Sequence, residues 1–275
     1  MSSAWSPSPR PPDGGIWAQE VGEGPLVALV HGAMDRSGGM LRVRRALQAS
    51  CRVLRYDRRG YARSLATGPA VAFDQQVDDL AGLLRGRPAV LAGHSLGAVV
   101  CLALAARRPD LARAVLAYEP PAMWASWWPA PAEHQTDHRT VGDGDGWAGA
   151  AAEDAAERFL RRMIGDDTWL RLPAAVRAAR RAEGPTLLAE LRSVRPPAPA
   201  PYDPAGVAVP VVAAFGSESR PHHMRATEEL ARAVPHGELR VIDGASHGAH
   251  LSHPAEFADL VRRALELAGE HPRGR

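Results

Sequence analysis

Six short apolar runs, each closed by glycine, proline or charge, alternate with segments of helical periodicity, and this alternation restricts the fold more than any other feature of the chain. The runs are "PLVALVHG" (25–32), "CRVLRYDRRG" (51–60), "PAVLAGHS" (88–95), "RAVLAYEPP" (113–121), "VPVVAAFG" (209–216) and "GELRVIDGASH" (237–247). Each reads as a strand buried on both faces. Between them, "FDQQVDDLAGLLRG" (73–86) and "AVVCLALAARRPD" (98–110) read as helices. Such an order predicts an α/β fold: a mostly parallel central sheet flanked by helices, with ligands at the carboxyl ends of its strands.

The alternation fails once, where about 85 residues separate the strand ending near Ala117 from the one starting near Val209. Composition changes there too. "AMWASWWPAPAEH" is dense in Trp and Pro, "VGDGDGWAG" reads as a loop, "AEDAAERFLRRMIG" and "LPAAVRAARRAEG" open a set of two or three amphipathic helices, and "RPPAPAPYDPAG" is a Pro-rich return. Residues 122–205 are therefore expected to form a helical cap over the strand ends, with the α/β core in 21–121 and 206–275 and a flexible lead-in over 1–20. Extra helices on the sheet flank are the alternative. Trp124, Trp127 and Trp128, with Trp147 and Trp169 in support, are candidates for an apolar pocket wall, although stacking within the cap would use the same rings.

The chain has 275 residues, 45% hydrophobic and 23% charged, with net charge +2, and all 33 basic residues are arginine. Scattered charge gives no nucleic-acid groove and no polybasic membrane patch, so a small-molecule substrate is the expected partner. Oligomeric state is left open. No window is apolar enough for a spanning helix, and the N-terminus lacks a secretory pattern, which predicts a cytoplasmic protein. Cys51 and Cys101 stand alone and are expected as buried packing residues.

"GHSLG" places Ser95 between Gly93 and Gly97, after a strand and before a helix. In that context the turn is so tight that the serine side chain projects from the strand end, and glycine on either side removes Cβ atoms that would collide. The following helix directs free N–H groups and the positive end of its dipole at the same point. Leu96 N–H is thus one candidate oxyanion donor. "LVHGAMDRS" ends an earlier strand and offers Ala33 N–H as the second, with Met34 beside it at the pocket. "GASHGAH", about 150 residues beyond Ser95, offers His247 as general base.

Together "VHGAM", "RYDRRGYARS", "GHSLGAVV" and "DGASHGAHLSHPAEF" resemble the alpha/beta-hydrolase superfamily in order and spacing, over roughly 25–121 and 206–268. The resemblance implies the hydrolase fold and its nucleophile machinery, but no substrate. It also implies that the turn from Asp57 to Gly60 is structural. The commonest family arrangement puts the acid three residues beyond the glycine that ends the penultimate strand. Here that glycine is Gly216, and Ser219 stands where the Asp would be. Two carboxylates can substitute. Glu218 lies in the same loop, one position early; Glu119, in "LAYEPPAMW", lies beyond the strand after the nucleophile helix, where some superfamily members, certain haloalkane dehalogenases among them, carry the acid. Glu119 is preferred, and a Ser–His dyad without an acid is the third possibility. His94 is expected beneath the turn at the pocket edge, His31 in the oxyanion loop, and His250 beside the base. His222 and His223 lack metal-ligand spacing, so neither metal nor cofactor is expected.

The leading expectation is a serine hydrolase acting on an ester-like bond of a small hydrophobic substrate through Ser95, His247 and Glu119. Other chemistry of the fold (C–C bond hydrolysis, haloperoxidase-type perhydrolysis, acyl transfer) is the enzymatic alternative. A silent ligand-binding protein on the same scaffold is the non-enzymatic one.

Overall fold

A computed structural model of the protein describes residues 15–129 and 150–270. All six apolar runs form strands: β2 (Leu26–Val30), β3 (Arg52–Tyr56), β4 (Ala89–His94), β5 (Ala112–Tyr118), β6 (Val211–Gly216) and β7 (Gly237–Ile242). A seventh, β1 (Ala18–Val21), completes a sheet of order β1-β3-β2-β4-β5-β6-β7 in which only β1 runs antiparallel.

β1 corrects the flexible lead-in expected over 1–20. Its sequence, AQEV, is too short and polar to announce a strand, yet its backbone covers the free edge of β3, from Ala18 opposite Tyr56 to Val21 opposite Val53. Just before it, Trp17 is buried under the guanidinium groups of Arg63, 3.0 Å from the ring centre, and Arg55, at 5.3 Å. Residues 1–14 of that span lie outside the described ones. β7 departs from expectation at the other edge: Leu239 and Val241 remain 42% and 51% exposed, because only one neighbouring strand, β6, covers it.

Side chains of the central strands divide by alternation. Ala28, Val30, Leu91, Val115, Ala117 and Ala213 pack with α2 (Phe73–Leu84), α3 (Leu96–Arg107) and α8 (Pro221–Ala233). Val27, Leu29, Val90, Ala92, Leu116 and Ala214 pack with α1 (Leu41–Leu47) and α10 (Pro254–Leu267) on the other face. Residues 96–105 of α3 are all buried, which explains a helix apolar on every side. Cys51 and Cys101 are buried, one in each layer.

Between β5 and β6 the described chain forms α4 (Ala150–Ile164), α5 (Asp166–Arg171), α6 (Ala174–Arg181) and α7 (Gly184–Ser193), more helices than the two or three expected. The loop read at 141–149 and Trp147 within it lie outside the described residues. A buried ion pair fastens these helices to the core: Arg58 pairs with Glu190 of α7, which also accepts from the Tyr61 hydroxyl at 2.6 Å. Thr186 donates to the Gly60 carbonyl at 3.1 Å. Asp57 accepts from Ser37 N–H and the Arg63 guanidinium, so the Asp57–Gly60 turn is a structural hub. Among the described residues no helix is long and apolar enough to cross a membrane.

Candidate active site

The turn from β4 into α3 holds Ser95 at φ 52° and ψ −126°, a region costly for a residue with a side chain. The flanking glycines permit it. A Cβ on Gly93 would stand 2.4 Å from Ala98 Cα, and one on Gly97 would stand 2.4 Å from the Val30 carbonyl oxygen. The main chain of the loop after β2 also approaches closely: a Cβ on Gly32 would lie 3.0 Å from Ser95 Cβ. That approach brings Ala33 and Met34 to the wall of the cavity that Ser95 also lines. His31 shapes the loop from below. Its Nδ1–H donates to the Gly32 carbonyl at 2.8 Å and its Nε2 accepts from Arg58 N–H at 2.9 Å, an arrangement that needs a neutral ring. Leu96 follows Ser95 as the first residue of α3, where backbone N–H groups have no partner within the helix.

Glu119 directly follows β5. Its side chain is fully buried and its backbone takes φ 47°. Oε2 accepts from His247 Nδ1 at 2.7 Å, while Oε1 accepts from Gly216 N–H at 3.1 Å and from the Ser219 hydroxyl. Burial alone would push the carboxyl up; the hydrogen bonds from His247, Ser219 and Gly216 outweigh it and hold the group below its ordinary value. Glu218, the other candidate acid, is exposed. The backbone around His247 is held as well, since His94 Nε2–H donates to the His247 carbonyl at 2.7 Å and the Tyr118 hydroxyl donates to the Ser246 carbonyl at 2.9 Å.

Ser95, His247, Ala33, Met34 and His94 line one cavity of about 380 Å³. Among the described residues, its apolar wall is not built by the tryptophans expected there, Trp124, Trp127, Trp128 and Trp169. Trp124 packs edge-on against Tyr202, Trp127 lies under the Arg225 guanidinium at 4.1 Å, and Trp128 meets the rings of His222 and His223. Trp169 is buried beneath α4, donating to Glu157 at 3.1 Å. The wall comes instead from Phe159, Leu160, Met163 and Ile164 of α4, with Leu172 and Val176. The spacing of those four, i, i+1, i+4 and i+5, is the apolar stripe of an amphipathic helix and was the available signal. Sequence reading also missed His223, whose ring stacks on His247 at 4.5 Å, and the contact of His250 with Asp35.

Three of these histidines are kept neutral by burial. His31 is lowered to about 4 by burial and the Arg58 charge, His223 to about 2 by burial and His247, and His94 well below its ordinary value by burial and its neighbours His250 and His247. In the unfolded chain each titrates near 6.5. Between about pH 6.5 and about pH 4 the unfolded state therefore binds protons the folded state refuses, so stability rises with pH across this window and is lost on acidification. The urea midpoint is expected to fall between about pH 7.5 and about pH 5; a constant midpoint would contradict the burial of neutral rings.

The sequence profile of the alpha/beta hydrolase family matches residues 27–260, and the chain belongs to that family. It is similar to the 2-(acetamidomethylene)succinate hydrolase of Mesorhizobium japonicum, 34% identical over 104 residues; the matched stretch spans only 37% of this chain and 37% of that relative. Similarity to the pimeloyl-(acyl-carrier protein) methyl ester esterase of Chromobacterium violaceum is lower, 27%, but runs over 259 residues, 91% of this chain and 98% of that enzyme. Among solved structures, the enol-lactonase of Burkholderia xenovorans shares the fold with a TM-score of 0.66 at 23% identity, covering 91% and 96% of the two chains. Hydrolase chemistry is the level of function these relatives share.

Proposed function

We propose that the protein is a serine hydrolase that cleaves an ester-like bond in a small, largely apolar substrate without a cofactor. The reading rests on one observation above all: the 2.7 Å hydrogen bond between His247 Nδ1 and buried Glu119, in a cavity that Ser95 shares. With Nδ1–H committed to the carboxylate, His247 Nε2 is the free lone pair and accepts the Ser95 proton as Oγ attacks the carbonyl carbon. Ala33 and Leu96 N–H groups hold the oxyanion. His247 returns the proton to the departing alcohol, and water, deprotonated by the same nitrogen, releases the acid and restores Ser95. The inserted helices act as a cap, with α4 supplying the surface for the acyl group. The relative from Chromobacterium violaceum is named for a methyl ester, and the same bond class is proposed here.

Incubation with a fluorophosphonate, followed by mass spectrometry of the digested protein, tests the assignment. One adduct is expected, on the peptide carrying Ser95. An unlabelled protein, or an adduct elsewhere, would remove Ser95 as nucleophile.

A further inference from the structure

A second carboxylate–histidine pair faces the same cavity and has no step in the proposed reaction. Asp35, in the loop after β2, accepts from His250 Nε2 at 3.0 Å, and His250 belongs to a short helix, α9 (Ala249–Ser252). The His250 ring packs on that of His94 with centroids 4.2 Å apart. All three residues line the cavity. His250 is 2% exposed and His94 6%, and the Nδ1 atoms of both are buried with no hydrogen-bond partner. His94 has committed its Nε2–H to the His247 carbonyl, so its Nδ1 is an unused lone pair, and burial keeps the ring neutral. Space remains beside that nitrogen because residue 32 is glycine: a Cβ there would lie 2.9 Å from it.

We propose that Asp35, His94 and His250 form a binding site for a transition-metal dication of the Zn²⁺ type, on the cavity wall beside Ser95. One donor atom from each lies within 4.8 Å of the other two. Two imidazoles and one carboxylate suit zinc, nickel or copper and disfavour magnesium or calcium. Tetrahedral zinc, with ligands at about 2.0–2.1 Å, places its donors about 3.3 Å apart; Asp35 and His250 already stand near that spacing, and only the His94 side has to close. The ion displaces the proton that His250 Nε2 shares with Asp35. A neutral ring keeps that proton on Nδ1, and a doubly protonated ring releases one to solvent. No spacing motif announces the set, because its members come from three distant segments.

Glu119, His223 and His247 make a rival cluster of similar compactness. It is the poorer site. Its carboxylate already accepts three hydrogen bonds, from His247, Ser219 and Gly216, and a metal there would have to displace the first of them.

Equilibrium dialysis against Zn²⁺ of the full-length Ser95→Ala protein, stripped beforehand with EDTA, tests the proposal without depending on the hydrolase reading, since that variant has no nucleophile. One Zn²⁺ per chain is expected, and EDTA should remove it. His250→Ala and Asp35→Asn, each placed in the Ser95→Ala background and checked for folding by circular dichroism, should weaken binding by at least about tenfold, whereas His223→Ala should retain it. Substituted Co²⁺ should give the intense visible absorption of a four-coordinate site, lost with His250→Ala. Absence of retained zinc, or loss in His223→Ala with binding intact in the other two, would overturn the proposal.

Discussion

Ser95→Ala is expected to lower ester turnover by about 10⁴-fold or more and to abolish fluorophosphonate labelling, because nucleophile and base act as one unit and the loss of either removes the covalent route. His247→Ala should match it. The same change at His250 should lower activity by far less: its Nε2 is held by Asp35, and its other nitrogen, Nδ1, is buried without a partner. Steady-state kinetics on a series of short-chain esters separates the two histidines. A crippled His250→Ala beside an active His247→Ala would mean that Asp35 and His250, and not Glu119 and His247, form the working pair. Folding should survive in Ser95→Ala, since the strain at φ 52° is set by the turn and its glycines, and alanine presents the same Cβ.

How far the sequence carries depends on whether a feature is local or assembled. The central strands were legible because burial on both faces requires unbroken apolar runs, and the Ser95 turn was legible because Gly93, Ser95 and Gly97 stand together within five residues, even though part of what Gly97 clears, the carbonyls of Val30 and His31, comes from the end of β2. β1 was not, since what holds AQEV is the unpaired edge of β3, more than thirty residues away in the chain. Tryptophan content suggested the wrong wall. Large rings are as useful against Tyr202, Arg225 and His222 as against a substrate, and only the placement of α4 over the strand ends selects Phe159, Leu160, Met163 and Ile164. The pairing of Asp35 with His250 spans 215 positions and left no trace in spacing. Glu119 lies between these cases: with Ser219 where the family's Asp would stand, the end of β5 and the loop that carries Glu218 were the two places to look for an acid, and a dyad without one was the third reading.

Replacing Glu119 with Gln should reduce activity by roughly a thousandfold or more, the scale on which loss of a triad carboxylate acts. Shape is almost unchanged, so the effect has to come from which way the amide points. Gly216 N–H is a donor that cannot reverse its role, and it faces one of the two Glu119 oxygens, as does the Ser219 hydroxyl. An amide oxygen is therefore drawn to that side, which turns the amide NH₂ toward His247 Nδ1. His247 must then accept at Nδ1 and carry its proton on Nε2, the nitrogen needed as the base. The substitution both removes the charge that stabilises the imidazolium and selects the wrong tautomer. Ser219→Ala in the Glu119→Gln background tests the mechanism: with one of the two directing donors gone, the amide is freer to flip, and part of the lost activity should return, whereas the same serine change in the wild-type protein should only lower it. Glu218→Gln should have little effect, because that side chain is exposed and the carboxylate that accepts from His247 Nδ1 is that of Glu119. If Glu119→Gln keeps full activity while Glu218→Gln is crippled, the acid belongs to the loop after Gly216; if neither matters, Ser95 and His247 act as a dyad and Glu119 only anchors the loop that carries the histidine.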